Sequence, residues 1–387
     1  MDDDADAWGA SGLACLTGPA DGLGDFSRAA VLTEARSTAA RFTALTGVDV
    51  DAAELLAGRA ALLGLTRRGR TSAGGATRLL PASDGWFALT LSRTDDVHLV
   101  PALVEEDSVD DPWAAVRRWA RGRTPADVVE RARLLDLPAA VLGEATPAAP
   151  VVRRIGTATA PRTPAGLLVV DLSSMWAGPS CAQLLRRAGA TVVKVESPSR
   201  PDGTRAGPSA FFDWVNGGKL SYATSFDDEG LRILLEAADV VVESSRPAGL
   251  RRRGLGPADV TGRGGRVWLG ITGYRDELRR VAFGDDAAVA GGLVGRGPVF
   301  CGDAIADPLT GLHAALAVVE ALHRGGGEEV RVAMADVAAT YAALPLTDGT
   351  GPVLAPVAPR PTPPAAALDA DHARVVRLLD ERSPAPC

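Results

Sequence analysis

Asp307 stands directly before Pro308 and a long run with leucine and valine at helical spacing. Position alone makes it a helix N-cap. A carboxylate there is also a nucleophile that needs no general base, because it is already ionised at neutral pH. Asp171-Leu172-Ser173, followed by Trp176-Ala177-Gly178-Pro179, reads as a strand end, a turn and a helix start. Gly178 lets a backbone approach closely, and Pro179 suits the first helical position. Free N–H groups at such a start could hold a phosphate or a carbonyl; a plain strand–turn–helix joint gives the same pattern. Gly74-Gly75 permits positive φ and close approach to a ligand, or is a loop before a hairpin. Arg251-Arg252-Arg253 offers forked donors suited to phosphate, or a solvated helix end. Asp285 and Asp286 read as a helix cap or a solvated pair.

Other chemistries are disfavoured. The cysteines (Cys15, Cys181, Cys301, Cys387) and histidines (His98, His313, His323, His372) are scattered, with no metal-ligand spacing and no disulfide framework. That usage fits a reducing compartment. There is no G-x-G-x-x-G, so a dinucleotide fingerprint is unsupported. A net charge of −7 argues against nucleic-acid binding, though not against a local basic pocket. The start, MDDDADAW, is acidic where a signal peptide is basic, and no apolar run reaches membrane-span length. A soluble cytoplasmic protein is the expectation. Lys194 and Lys219 are the only lysines, a bias that reads as a codon-composition effect.

These residues must be positioned by elements. A chain of 387 residues, 46% apolar, predicts two domains with sizeable cores. Residues 1–145 carry helical patterns (52–65, 112–121, 125–137) and a hairpin at 78–91 turning at Ser83-Asp84-Gly85. Residues 146–165, rich in Ala, Pro and Thr, read as a linker. From Gly166 the rhythm changes. Continuous apolar runs at 167–172, 191–196, 220–224, 239–243 and 266–272 alternate with helical patterns at 179–188 and 227–238. This predicts an open, Rossmann-like parallel sheet of the α/β class, with ligands at the carboxyl ends of its strands. A helix over 308–322 and a strand at 330–334 complete the domain at 166–345; residues 346–387 form a Pro-rich arm and a closing helix over 369–379.

The string VVDLSSMWAGPSCAQLLRRAGATVVKVESP resembles the opening of family III CoA transferases, the group containing formyl-CoA transferase and α-methylacyl-CoA racemase. DGTR (202–205), FFDWVNGGKLSYATSF (211–226), ADVVVESSRPAGLRRRGLG (238–256), RVWLGITGY (266–274), DAIADPLTGLHAALAVVEALH (303–323) and EEVRVAMAD (328–336) continue it in order. WGASGLACLTGPADG (8–22) and residues 54–104 resemble family segments in an altered order, as a partial front copy that places the smaller α+β domain at the N-terminus.

The resemblance implies CoA transfer between an acyl-CoA and a carboxylic acid, through an aspartyl-CoA intermediate on Asp307. Gly74 and Gly75 are similar to the loop that closes over the nucleophile. Met175, Trp176, Ala177, Gly178 and Pro179 match the CoA-lining turn, and Arg252 matches a phosphate-binding arginine. Ser244 and Ser245 replace the family's Asn-Phe, Ser197 stands where an arginine often sits, and Trp176 replaces a frequent glutamine. Coenzyme A is implied as substrate, with no tightly bound cofactor and no metal, and a homodimer is implied as the assembly. An acyl-CoA racemase and a degenerate CoA-binding scaffold are the alternatives. Asp285 occupies the position of the racemase histidine, which makes racemisation the weaker reading.

Overall fold

The computed structural model describes residues 3–244 and 248–382. Its leading segment is helical: α1 (Asp3–Ala10), α2 (Leu13–Leu16), α3 (Ala30–Thr46) and α4 (Ala52–Leu63). Asp51 caps α4 by accepting from the Ala53 and Glu54 amides at 2.8 and 3.3 Å, and Gly64 ends it. The expected hairpin is β1 (Thr77–Pro81) and β2 (Trp86–Thr90), with Thr77 opposite Thr90. Four short helices follow, α5 (Thr94–His98), α6 (Val100–Val104), α7 (Pro112–Ala120) and α8 (Pro125–Leu134). Strand β3 (Ala139–Val141) then pairs with β2 to complete a three-stranded sheet. Phe87, Leu89, Val116, Trp119 and Val128 give this α+β unit its own core.

The larger unit begins inside the segment expected to be a linker. Val151–Arg154 is a strand, β4. Then come β5 (Leu168–Asp171), α9 (Ala177–Arg187), β6 (Thr191–Glu196), α10 (Ser209–Asn216), β7 (Leu220–Ala223), α11 (Glu229–Ala237), β8 (Val240–Glu243), α12 (Ala248–Arg251) and β9 (Val267–Thr272). Helix α13 (Gly284–Ala290), the short hairpin β10 (Val294–Gly295) and β11 (Val299–Phe300), α14 (Ala306–His323), β12 (Glu328–Ala333), α15 (Met334–Ala342) and α16 (His372–Arg382) complete the chain. The sheet order is β4-β12-β9-β8-β5-β6-β7, with every pairing parallel except β4 to β12. Consecutive strands run outward from β5 in one direction and continue from β8 in the other. The crevice outside the carboxyl ends of β5 and β8 is therefore the topological switch point, where such sheets hold ligands.

Two results differ from the sequence reading. The segment 146–165 is not a free linker: β4 pairs with β12, the Thr159 amide donates to the Gly325 carbonyl at 2.8 Å, and Arg162 bonds Asp239 at 3.0 Å. The first four helices also belong to the large unit. Leu32, Phe42 and Leu56 share one core with Val169, Leu269, Leu309 and Val330. Burial of each such side chain contributes roughly 1.5–3 kcal/mol, so this face of the sheet depends on the chain's first 65 residues. The opposite face is covered by α11 and α16, through Leu231, Leu234, Val375 and Leu379. The arm beyond residue 345 runs back over the amino-terminal helices, where the Leu354 amide donates to the Gly9 carbonyl at 3.1 Å.

Candidate active site

Three aspartates and one arginine converge beside the switch point. Asp307 lies in the first turn of α14, whose N-cap is Ile305. Asp307 is therefore inside the helix and does not cap it. It is half-buried, and its Oδ2 accepts from the Gly284 amide at the start of α13 at 3.1 Å. A Cβ at residue 284 would stand 2.4 Å from that Oδ2, so only glycine leaves the carboxylate in place. The Ala177 amide, at the start of α9, also favours the ionised form. Burial nevertheless dominates and pushes the Asp307 carboxyl up to about 7, with Asp285 adding to the rise and Arg59 opposing it. The carboxyl expected to be fully ionised at neutral pH is thus poised between its two forms.

Asp285 and Asp286 are not a solvated pair. Asp286 is fully buried and accepts from the Phe283 amide at 3.0 Å and the Thr90 hydroxyl at 2.9 Å. Asp285 accepts from the Ala304 amide at 3.0 Å and the Thr77 hydroxyl at 3.2 Å. Burial pushes Asp285 up to about 6 and Asp286 to about 7. Asp303, 1% exposed, is also raised by burial, although Arg59 opposes the shift. Arg59 Nη1 reaches both Asp303 oxygens, at 2.6 and 2.7 Å. Its guanidinium carbon lies 5.3 Å from the ring centres of Trp176 and of Phe211.

Gly74 and Gly75 form the turn of a loop closed by Ser72 N–H to the Thr77 carbonyl at 2.9 Å. Gly75 has φ 85°, the left-handed conformation that favours glycine. The turn lies over Arg59: a Cβ at 74 would stand 3.8 Å from its Nη2. The small α+β unit therefore reaches the site within one chain.

The other expected contacts are more dispersed. Met175 has φ 75° and is 40% exposed, but its amide donates to Asp202 at 3.2 Å. Trp176 is buried edge-on against Phe211, 5.4 Å between centres. Gly178 packs onto Ser173, where a Cβ would stand 2.2 Å from the serine Cβ. Helix α9 starts at Ala177, so Pro179 is its third residue and not its first; its carbonyl accepts from Lys219 at 2.9 Å. Across the switch point the Ser174 amide donates to Ser244 Oγ at 3.2 Å. Ser197 pairs with Ser199 at 3.0 Å at the end of β6, and Arg252 is exposed just past α12. Ser245 lies outside the described residues.

Behind the turn sits an ion network formed by the chain's two lysines. Lys219 Nζ reaches Asp171 at 2.8 Å and Asn216 at 3.0 Å, while Lys194 Nζ reaches Asp202 at 2.9 Å and the Ser173 carbonyl at 2.9 Å. Both lysines are buried. They are structural anchors of the turn, a role that the codon-bias reading missed. Arg59, Asp303, Ser72 and Phe211 were not identified from sequence either. Among the described residues no group of histidines, cysteines or carboxylates could hold a metal ion. None of their helices is long and apolar enough to cross a membrane. A groove of about 370 Å³ lined by Pro147–Pro150, His313, Asp336 and Thr340 shares no residue with this site.

Comparison with known proteins gives the family. The pattern of CoA-transferase family III matches residues 165–369, more than half of the chain. The chain belongs to CoA-transferase family III. A formyl-CoA:oxalate CoA-transferase of Afipia carboxidovorans is 32% identical over 198 residues, 44% of this chain and 46% of that protein. A succinate–glutarate CoA-transferase of Agrobacterium fabrum is 29% identical over 203 residues, 44% of this chain and 51% of that protein. The chain thus spans about half the length of the curated relatives it matches. Among solved structures, a CAIB/BAIF family protein from Brucella suis is 30% identical, with a TM-score of 0.42 over 46% of this chain and 55% of that one.

Proposed function

We propose that this family III chain transfers coenzyme A between an acyl-CoA and a carboxylic acid through Asp307. The observation that carries this reading is the placement of a half-buried Asp307 at the switch-point crevice, with the Gly284 and Ala177 amides turned toward it. An Asp307 oxygen attacks the thioester carbonyl. The C–S bond breaks, CoA thiolate leaves with the electron pair, and a mixed anhydride forms. The thiolate then attacks the aspartyl carbonyl, releasing the first acid and leaving an aspartyl-CoA thioester. The acceptor carboxylate attacks that thioester, its C–S bond breaks to release CoA thiolate, and a second mixed anhydride forms. The thiolate then attacks the new acyl carbonyl, giving the product acyl-CoA and expelling the Asp307 carboxylate. Amides that favour the ionised Asp307 also offer hydrogen bonds to charge developing on its oxygens.

Coenzyme A esters are substrates in this scheme, and no tightly bound cofactor is required. A cytoplasmic location and a homodimer belong to the same proposal. Ser197, Ser244, Ser245 and Arg252 are assigned to CoA binding, Arg252 to its nucleotide phosphates, and Gly74 and Gly75 to closure over the intermediate. With an aspartate at 285, carbon-acid chemistry on this scaffold is the weaker reading. Deuterium wash-in at the substrate α-carbon would favour it.

Replacing Asp307 by Ala is expected to abolish exchange of labelled CoA between esters and acids, and hydroxylamine is expected to trap the native acyl intermediate. Exchange in the native enzyme should fall as pH drops through about 7, because protonation removes the nucleophile. Undiminished exchange in the alanine variant would end the proposal.

A further inference from the structure

This inference rests on the transfer reading and adds the group that receives the acid. Any acid substrate approaching Asp307 in its ionised form meets Asp285, Asp303 and Asp307, a site that repels it unless a cation is present. Arg59 supplies that cation. It comes from α4, 244 positions before its partner Asp303. Nη1 is engaged with both Asp303 oxygens. Nη2 and Nε make no hydrogen bond among the described residues, and Nη2 faces the Gly74 turn. The Trp176 and Phe211 rings, 5.4 Å apart, lie together on one side of the guanidinium and restrict its orientation. The side chain keeps 23% exposure, whereas Asp303 beneath it keeps 1%. A planar fork with one nitrogen, Nη1, engaged and the Nη2–Nε edge left for another partner is a receptor for a second carboxylate.

We infer that Arg59 binds the carboxylate of the acid co-substrate and holds it beside Asp307. No bond is made or broken at Arg59; it positions an anion among anions. The Gly74 turn covers the bound acid, and the absence of a side chain at 74 leaves room for it.

The test compares two variants. Arg59→Lys keeps the charge and the partner of Asp303 but loses the fork. Arg59→Gln combined with Asp303→Asn removes both charges together, so no buried carboxylate is left alone. Steady-state exchange gives KM for acid and for acyl-CoA, and calorimetric titration with sodium acetate and sodium succinate gives acid binding without turnover. In both variants the acid KM and Kd are expected to rise about tenfold or more, while acyl-CoA KM stays within about twofold. Unchanged acid affinity in both variants would overturn the inference, as would an equal rise for both substrates. Acid binding by the parent that is lost in Arg59→Lys, with no CoA exchange by the parent, would overturn the transfer reading alone and leave the carboxylate site standing. Exchange that is intact in the parent and insensitive to both variants would overturn only the role of Arg59.

Discussion

Two sets of aspartates flank the Ser173–Ala177 turn, and burial acts on them with opposite outcomes. Asp171 and Asp202 are removed from water, which disfavours their charge, yet Lys219 and Lys194 outweigh that penalty and hold both carboxyls below the ordinary range. Asp285, Asp286, Asp303 and Asp307 are removed from water as well, with Arg59 as the nearby cation at three of them, and all four are raised. Burial is common to the two sets; the ratio of cations to carboxylates differs. The first arrangement makes a rigid support, and the second brings Asp285, Asp286 and Asp307 to about 6 to 7, where their protonation can change near neutral pH.

Removing the support should have the larger effect. Lys219→Ala leaves Asp171 charged and unpaired in the interior, at an expected cost of about 3–5 kcal/mol in chemical denaturation. A loss below about 1 kcal/mol would show that the network is dispensable.

The acid cluster should respond to pH instead. Asp286 has a folded-state pKa of about 7, above its ordinary value of 3.8. Its stabilising balance is therefore fully present below about 4 and is lost as pH rises toward 7, because the unfolded chain ionises first. Asp286→Asn should match the parent near pH 4 and melt higher by about 2–5 °C at pH 8. An equal shift at both pH values would remove ionisation as the cause.

The smallest effect belongs to a pair of comparable length at the surface. Arg41 and Glu320 meet at 2.5 Å but are 61% and 34% exposed. Arg41→Ala should change stability by less than about 1 kcal/mol. A larger loss would mean that distance matters more than solvent in this molecule.

Much of the sheet was legible because β5, β6, β8 and β9 are buried and read as continuous apolar runs. Strand β4 was not legible. Val151–Arg154 is mostly exposed, and its place depends on backbone pairing with β12 and on Arg153 meeting Glu329 at 2.5 Å. Such a strand carries no apolar signature. At the site, motif order pointed to Asp307 and the 175–179 turn. Arg59 was hidden because it sits in an alanine- and leucine-rich helix, and nothing local announces a partner 244 residues away. The start of α9 at Ala177 was obscured by Pro179, a residue that the third helical position also tolerates, since its missing N–H is one that helices leave unpaired there.

The insertion of β12 between β4 and β9 has a consequence for biosynthesis. As the polypeptide emerges from the ribosome, β4 appears 176 residues ahead of its neighbour in the finished sheet, counted from Arg153 to Glu329. Throughout that interval its amide and carbonyl groups can invite strangers. Arg153 and Arg154, side by side on this late-closing border, are the kind of charge that keeps an unfinished edge from recruiting another nascent chain.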